Sequence, residues 1–275
     1  MSKTIKPLTN EQLRAKAPSL FQDQPYHEVS SKYHFIPTIE IIEQLRSENW
    51  YPVTVNEAGV KNIEKFGFQQ HYVRFQHFSD LINPSSNVVE LLLFNSHDRS
   101  KIFSISAGVY RYICSNGLII ADSVFDSYKI KHLGERNNDV LNAVANITAI
   151  KPRLLEKISK FESITLNQNE KEAFLQSALP LRFEEHLELD NPTELLTPLR
   201  DEDRKDDLYT VLNILQENFL SSKVSGYNKE SKRRFTSKQI ISISKDVEIN
   251  KGLWDIAERI ANIKDGSYES PLIAA

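Results

Sequence analysis

The sequence predicts an α+β fold: a mainly antiparallel sheet over about residues 33–130, packed against C-terminal helices. Three observations carry this expectation. From Tyr33 to Ile130, short apolar runs with period-two spacing alternate with turn-forming clusters. From Asn138 onward the apolar spacing lengthens to the helical period. Hydrophobic residues make up 40% of 275 and charged residues 26%, an ordinary balance for a chain that buries a core.

Residues 1–28 are polar and carry Pro7, Pro18 and Pro25, so residues 1–30 are expected to form a flexible N-terminal arm. Thr9 to Ala17 suits one short helix within it. A single α+β domain is expected over residues 31–263, sheet-rich over 31–133 and helical over 138–263, with a frayed tail over 264–275. Tyr33 to Ile36 reads as a short strand stopped by Pro37. Thr38 is placed to cap a helix whose Ile39, Ile42, Leu45 and Trp50 share a face and which Pro52 ends. Residues 53–70 are mixed and polar and read as a loop or ragged hairpin, and His71 to Phe78 alternates as a strand. Asn83-Pro84-Ser85-Ser86-Asn87 is a turn.

The densest apolar run follows. Val88 to Phe94 is nearly continuous and suits a strand buried on both faces. Asn95-Ser96-His97-Asp98 breaks it with side chains that bond their own backbone. From Lys101 to Tyr112 the pattern is extended again, with Phe103, Ile105, Ala107, Val109 and Arg111 on one face and Ser104, Ser106, Gly108 and Tyr110 on the other. Ser115-Asn116-Gly117 is a second turn, because Asn-Gly tolerates positive φ, and Leu118 to Ala121 starts the next strand. Phe125 to His132 extends the sheet. Val140, Val144, Ile147, Leu154, Ile158 and Phe161 then mark one long amphipathic helix, kinked at Pro152. Further helices are expected from Asn167 through Leu181, from Leu208 to Phe219 and from Val247 to Ile263.

Several of these stretches resemble a known family. NSHD at 95–98, followed by a strand ending in AGVYRYICSNGLI, resembles the signature of a phage- and plasmid-encoded family catalogued as domain of unknown function 932. YHFIPTIEIIEQLRSENW and HYVRF resemble its N-terminal elements, and LQENF and KRRFTSKQIISISKDVEINKGLWDIAE its C-terminal helices, so the likeness covers Tyr33 to Ala261. The resemblance implies a setting of mobile elements and DNA-associated neighbours, and transfers no catalytic residue. Ser221-Ser222 stand where the family's pattern has a glycine pair.

Composition excludes several classes. One cysteine rules out a disulfide framework and any Cys-based zinc site. No apolar run approaches the ~20 residues that span a bilayer, and MSKTIKPLTNEQLRAKAPSL lacks a secretory apolar core, so a cytoplasmic protein without membrane contact is expected. No phosphate-binding glycine loop, Gly-x-Ser-x-Gly or His-Glu-x-x-His occurs, and no cofactor is expected.

Charge is more informative in its distribution than in its net value of −3. Residues 184–207 hold ten Asp and Glu against Arg200, Arg204 and Lys205. Residues 221–245 hold Lys223, Lys229, Lys232, Arg233, Arg234, Lys238 and Lys245 against Glu230, with Tyr227 and Phe235 among them. Cations that track phosphates, interleaved with aromatics on which bases stack, are what a single strand needs. The plainer reading of this basic loop, 221–245, is a solvated segment that contacts the chain's own acidic stretch. Arg99 and Arg111 are further candidate nucleic-acid contacts. His97, Asp98 and Cys114 are the candidates for hydrolysis, against a reading of His97 and Asp98 as turn-capping residues and of Cys114 as a small buried one. His71 and His77, six apart on one strand, read as structural histidines rather than metal ligands.

The function expected is a DNA-transaction protein of a mobile element, a homo-oligomer that binds single-stranded DNA and anneals strands. The alternative is a protein that binds and inhibits a host defence or regulatory protein, with the acidic stretch imitating nucleic-acid charge. A hydrolase is the third reading.

Overall fold

The structure, a computed structural model, describes residues 5–29, 33, 35–112, 116–119, 128–129 and 136–267. The chain divides into two compact units, residues 1–152 and 153–275, where the sequence reading expected one domain over 31–263. Buried apolar side chains occur in both units, and a change from strand to helix period does not reveal the division.

The first unit opens with α1 (Asn10–Lys16), held by a capping box in which Thr9 and Gln12 bond each other's backbone, and a 3-10 turn at Pro18–Phe21. Leu13, Ala17 and Leu20 are fully buried in the unit's core, so the expected flexible arm is corrected. Three buried apolar side chains outweigh the prolines, which lie outside α1, with Pro18 at the first position of the 3-10 turn, where its missing N–H costs nothing. The strand expected at Tyr33–Ile36 is absent from the described residues there, and the Ile36 carbonyl accepts from the Asn95 side chain at 3.1 Å. Helix α2 (Thr38–Ser47) buries Ile41, Ile42 and Leu45. Its N-cap is Pro37, without a side-chain bond, and Thr38 lies one residue inside.

Asn49, at φ 63, turns the chain into β1 (Trp50–Glu57). The sequence predicts a helix end and a loop over these residues. Pro52 sits in it at a bulge on the sheet's edge, one of the few strand positions that tolerate proline. Then come β2 (His71–His77), α3 (Phe78–Ile82), β3 (Asn87–Asn95), β4 (Ser104–Arg111), β5 (Asn116–Ile119) and β6 (Tyr128–Lys129). The sheet is antiparallel in the order β1-β2-β3-β4-β5, with β6 also pairing β4. Asn116 and Gly117, expected in a turn, already pair with Arg111 and Tyr110.

All nine residues of β3 are buried, as a central strand covered on both faces requires. One face contributes Val73, Phe75, Leu91, Leu93, Ile105 and Ala107 to a core shared with α1, α2 and Val144 and Ile147 of α4 (Arg136–Ser163). Arg74, Gln76 and Glu90 lie on the other. There Arg74 Nε donates to Glu90 Oε2 at 2.5 Å and Gln76 Nε2 to Glu90 Oε1 at 2.9 Å, so a buried carboxylate has both oxygens satisfied.

The second unit contains the end of α4, α5 (Gln168–Ala178), β7 (Leu187–Leu189), α6 (Leu208–Ser221), β8 (Ser225–Asn228), β9 (Arg233–Thr236) and α7 (Ile243–Lys264). Helix α6, capped by the Asp207 side chain at the Thr210 amide, is buried on nearly every side and packs against α7. Phe161 and Trp254 meet at 5.1 Å between centroids. The basic segment 221–245, expected as a loop, is the β8–β9 hairpin, which pairs with β7 in a second antiparallel sheet of three strands. Ser222 leaves α6 with extended φ (−72°), so the glycine pair of the family's pattern is not needed for this backbone.

Candidate nucleic-acid interface and the buried histidine pair

The hairpin presents most of its charge to solvent. Lys223, Lys229, Lys232, Arg233, Arg234 and Lys238 are all exposed, and Tyr227 is 38% exposed. Tyr227 stands between Glu188 on β7 and Arg234 on β9, its two cross-strand neighbours. Phe235 pairs with Gly226 on the opposite face, and its ring lies so close that a Cβ on Gly226 would meet it at 2.8 Å and the Glu188 carbonyl at 2.3 Å. Phe235 is therefore used to build the hairpin, and Tyr227 is the aromatic it leaves exposed.

The acidic stretch takes part of the charge. Arg234 makes a bidentate pair with Asp190, at 3.0 and 2.5 Å, and Lys229 lies 3.4 Å from Glu188. These pairs are exposed and each contributes little. Elsewhere in the stretch Arg200 spans Asp203 and Glu217, and Arg204 lies 3.0 Å from Asp201. Lys223, Lys232, Arg233 and Lys238 make no ion pair among the described residues. Of the segment's seven cations, Lys229 and Arg234 thus pair with the acidic stretch and Lys245 with Glu248, and the other four make no ion pair among the described residues. Lys232, at φ 55, forms the turn.

Arg99 and Arg111 belong to the first unit. Arg99 is exposed at φ 66 in the β3–β4 connection. Arg111, expected among the contacts, is buried at the end of β4, and burial withdraws its guanidinium from phosphates. Cys114 lies outside the described residues.

His97 sits in a closed cluster that brings β2, the β3 end and the N-terminal segment together. His71 and His97 are both fully buried, with ring centroids 5.2 Å apart. Ser19 Oγ lies 2.7 Å from His71 Nδ1, and Thr38 Oγ1 lies 2.9 Å from His71 Nε2 and 3.4 Å from His97 Nε2. Asn95 Nδ2 donates to Thr38 Oγ1 at 3.0 Å. The Gln69 carbonyl, 3.2 Å from His71 Nδ1, assigns the proton to that nitrogen, so His71 Nε2 accepts from the Thr38 hydroxyl. His97 Nδ1 is left without a hydrogen-bond partner. Burial above all pushes His71 down to about 3, helped by the neighbouring His97, while the Gln69 carbonyl pulls the other way. Burial likewise takes His97 down to about 4, against the Ser19 backbone and Asp98, which raise it.

The Ser19–His71 distance is short enough for a nucleophile and its base, but the nitrogen that faces the Ser19 oxygen is the protonated Nδ1, which donates and does not accept. Both side chains are also fully enclosed, and the cluster ties α2 and the N-terminal segment to the sheet. Asp98 accepts from the Ser100 amide at 2.9 Å, as a turn residue does. His77, at the far end of β2 from His71, caps α3 through Ser79, and Asp80 pairs with Lys151 at 2.7 Å. No group of three or more His, Cys, Asp or Glu among the described residues is placed to hold a metal. No helix among them is long and apolar enough to cross a membrane.

A family model described as "Domain of unknown function (DUF932)" matches residues 25–254. Two proteins of Escherichia coli K12, UPF0380 protein YfjQ and UPF0380 protein YafZ, are each 29% identical over 255 residues, which is 93% of this chain and 92% of theirs. No solved structure gives a significant match.

Proposed function

We propose, for a chain that belongs to the DUF932 family, that it binds single-stranded DNA in the cytoplasm through the β8–β9 hairpin. One observation carries the reading: Lys223, Lys232, Arg233 and Lys238 are exposed without a carboxylate partner among the described residues, on the hairpin that also exposes Tyr227. Unpaired cations release counterions when they meet phosphates, and an exposed ring offers a base about 1–3 kcal/mol of stacking. Every base has a π-face, so such a site is tolerant of sequence. The family's setting among mobile elements agrees with this chemistry. The inhibitor reading gains less support, because Glu188, Asp190, Asp201 and Asp203 of the acidic stretch are engaged by cations of the same chain.

Fluorescence anisotropy with labelled oligothymidine tests the proposal. Lys232/Arg233→Ala removes two unpaired cations and leaves the Arg234–Asp190 pair intact. Affinity is expected to fall at least tenfold, about 1.4 kcal/mol. Binding that is equally tight in the variant would place any site elsewhere, and a wild-type protein that binds no oligonucleotide at low salt would end the proposal.

A further inference from the structure

The hairpin has little core of its own, yet its two stems leave α6 and return toward α7 in a defined path. What holds them is Arg182, at the end of the 3-10 turn Leu179–Leu181. Its Nη1 donates to the Asn218 carbonyl at 3.0 Å, and its Nη2 to the Ser222 carbonyl at 2.7 Å, to Ser237 Oγ at 3.0 Å and to the Lys238 carbonyl at 3.0 Å. Asn218 and Ser222 close α6, so the cation meets carbonyls at the negative end of that helix. Ser237 and Lys238 follow β9. The stems are also joined directly: Val224 N donates to Ser237 Oγ at 2.9 Å and Ser237 N to the Val224 carbonyl at 2.8 Å.

The residues beside Arg182 fix its position. Leu181 packs where Gly252 of α7 leaves room, since a Cβ there would lie 2.4 Å from a Leu181 methyl. Phe183 stacks edge-on against Phe219 of α6, centroids 6.2 Å apart. The guanidinium is thus aimed from a seat on two helices at both stems of the hairpin. Lysine could not replace it: one ammonium cannot reach acceptors spread over a helix end and a strand, whereas a planar fork can.

We propose that Arg182 is the positioning residue of the hairpin, setting the path by which β8 and β9 carry their cations out from α6. This rests on the nucleic-acid reading only for its consequence in binding; the positioning itself is a statement about the hairpin.

Two readouts on the full chain test it, with Arg182→Gln and Arg182→Lys. In oligothymidine binding, both variants are expected to weaken affinity about tenfold and to flatten its salt dependence, because a loosened hairpin engages fewer phosphates at once. A merely destabilising change would leave the salt dependence of the folded protein unaltered. In limited trypsin digestion, cleavage at Lys229–Arg234 is expected to quicken in both variants. Wild-type behaviour of Arg182→Lys would show that charge alone suffices, and would overturn the proposal. So would wild-type cleavage rates in both variants, and that comparison stands even if the wild-type chain binds no oligonucleotide, a result that would sink the nucleic-acid reading alone. Should Arg182→Gln not fold, the Arg182→Lys digestion carries the test by itself: quickened cleavage is expected, and a wild-type rate would contradict the inference.

Discussion

His71 and His97 make the first unit sensitive to acid. Their folded pKa values, about 3 and about 4, lie below the ordinary 6.5. Above pH 6.5 both rings are neutral folded or unfolded, and the full stability is present. As pH falls below 6.5 the unfolded chain takes up protons that the buried cluster refuses, so stability drops through the window from 6.5 toward the folded values. Between pH 7 and pH 5 the pair should cost on the order of 4 kcal/mol. Urea unfolding at several pH values reads this, and His97→Gln, which cannot titrate, should remove about half of the loss; a midpoint independent of pH would refute the assignment. The charged pair on the opposite sheet face gives a second expectation. Glu90→Ala leaves Arg74 buried without its carboxylate and should cost about 3–5 kcal/mol in the same measurement. Neither feature was legible in the sequence. Glu90 interrupts a run otherwise apolar, and Ser19 and Thr38 lie 52 and 33 residues from the histidine they bond. Only the pairing of distant segments brings such groups together. Arg182 was equally silent, since its acceptors are backbone carbonyls that any sequence supplies.

At the scale of elements, what could be read was what has a local cause. The strands at His71, Val88 and Lys101 follow from alternation and apolar runs, and the capping boxes at Thr9 and Asn167 from side chains three residues apart. Strand β1 was hidden by Pro52, which a bulge on an edge strand accommodates. The β8–β9 hairpin was hidden by its charge, because its alternation is of exposed residues and only Gly226, against Phe235, signals a close approach. That contact yields a prediction. Gly226→Ala forces a Cβ against the Glu188 carbonyl and the Phe235 ring, and should cost about 1–3 kcal/mol of local stability. Hydrogen exchange of the β7–β8–β9 amides should quicken while α6 stays protected; unchanged exchange in the hairpin would show that the sheet absorbs the methyl.

The whole molecule divides at Pro152, within α4, into two units that each contain one tryptophan, Trp50 and Trp254, both buried. Single-tryptophan variants therefore report each unit separately. On acidification the Trp50 signal should be lost first, because the buried His71 and His97 lie in the first unit. Simultaneous loss of both signals would contradict that order. The hairpin and the acidic β7 that neutralises part of it lie in the second unit, so the proposed binding is a property of that unit's own surface. In the proposed complex the four cations without an ion pair among the described residues, Lys223, Lys232, Arg233 and Lys238, meet phosphates. The most direct measurement is the dissociation constant for oligothymidine across a series of salt concentrations. Four phosphate contacts predict that log K falls against log salt with a slope of about −3. A slope near zero would mean that no phosphates are engaged, and would contradict the account.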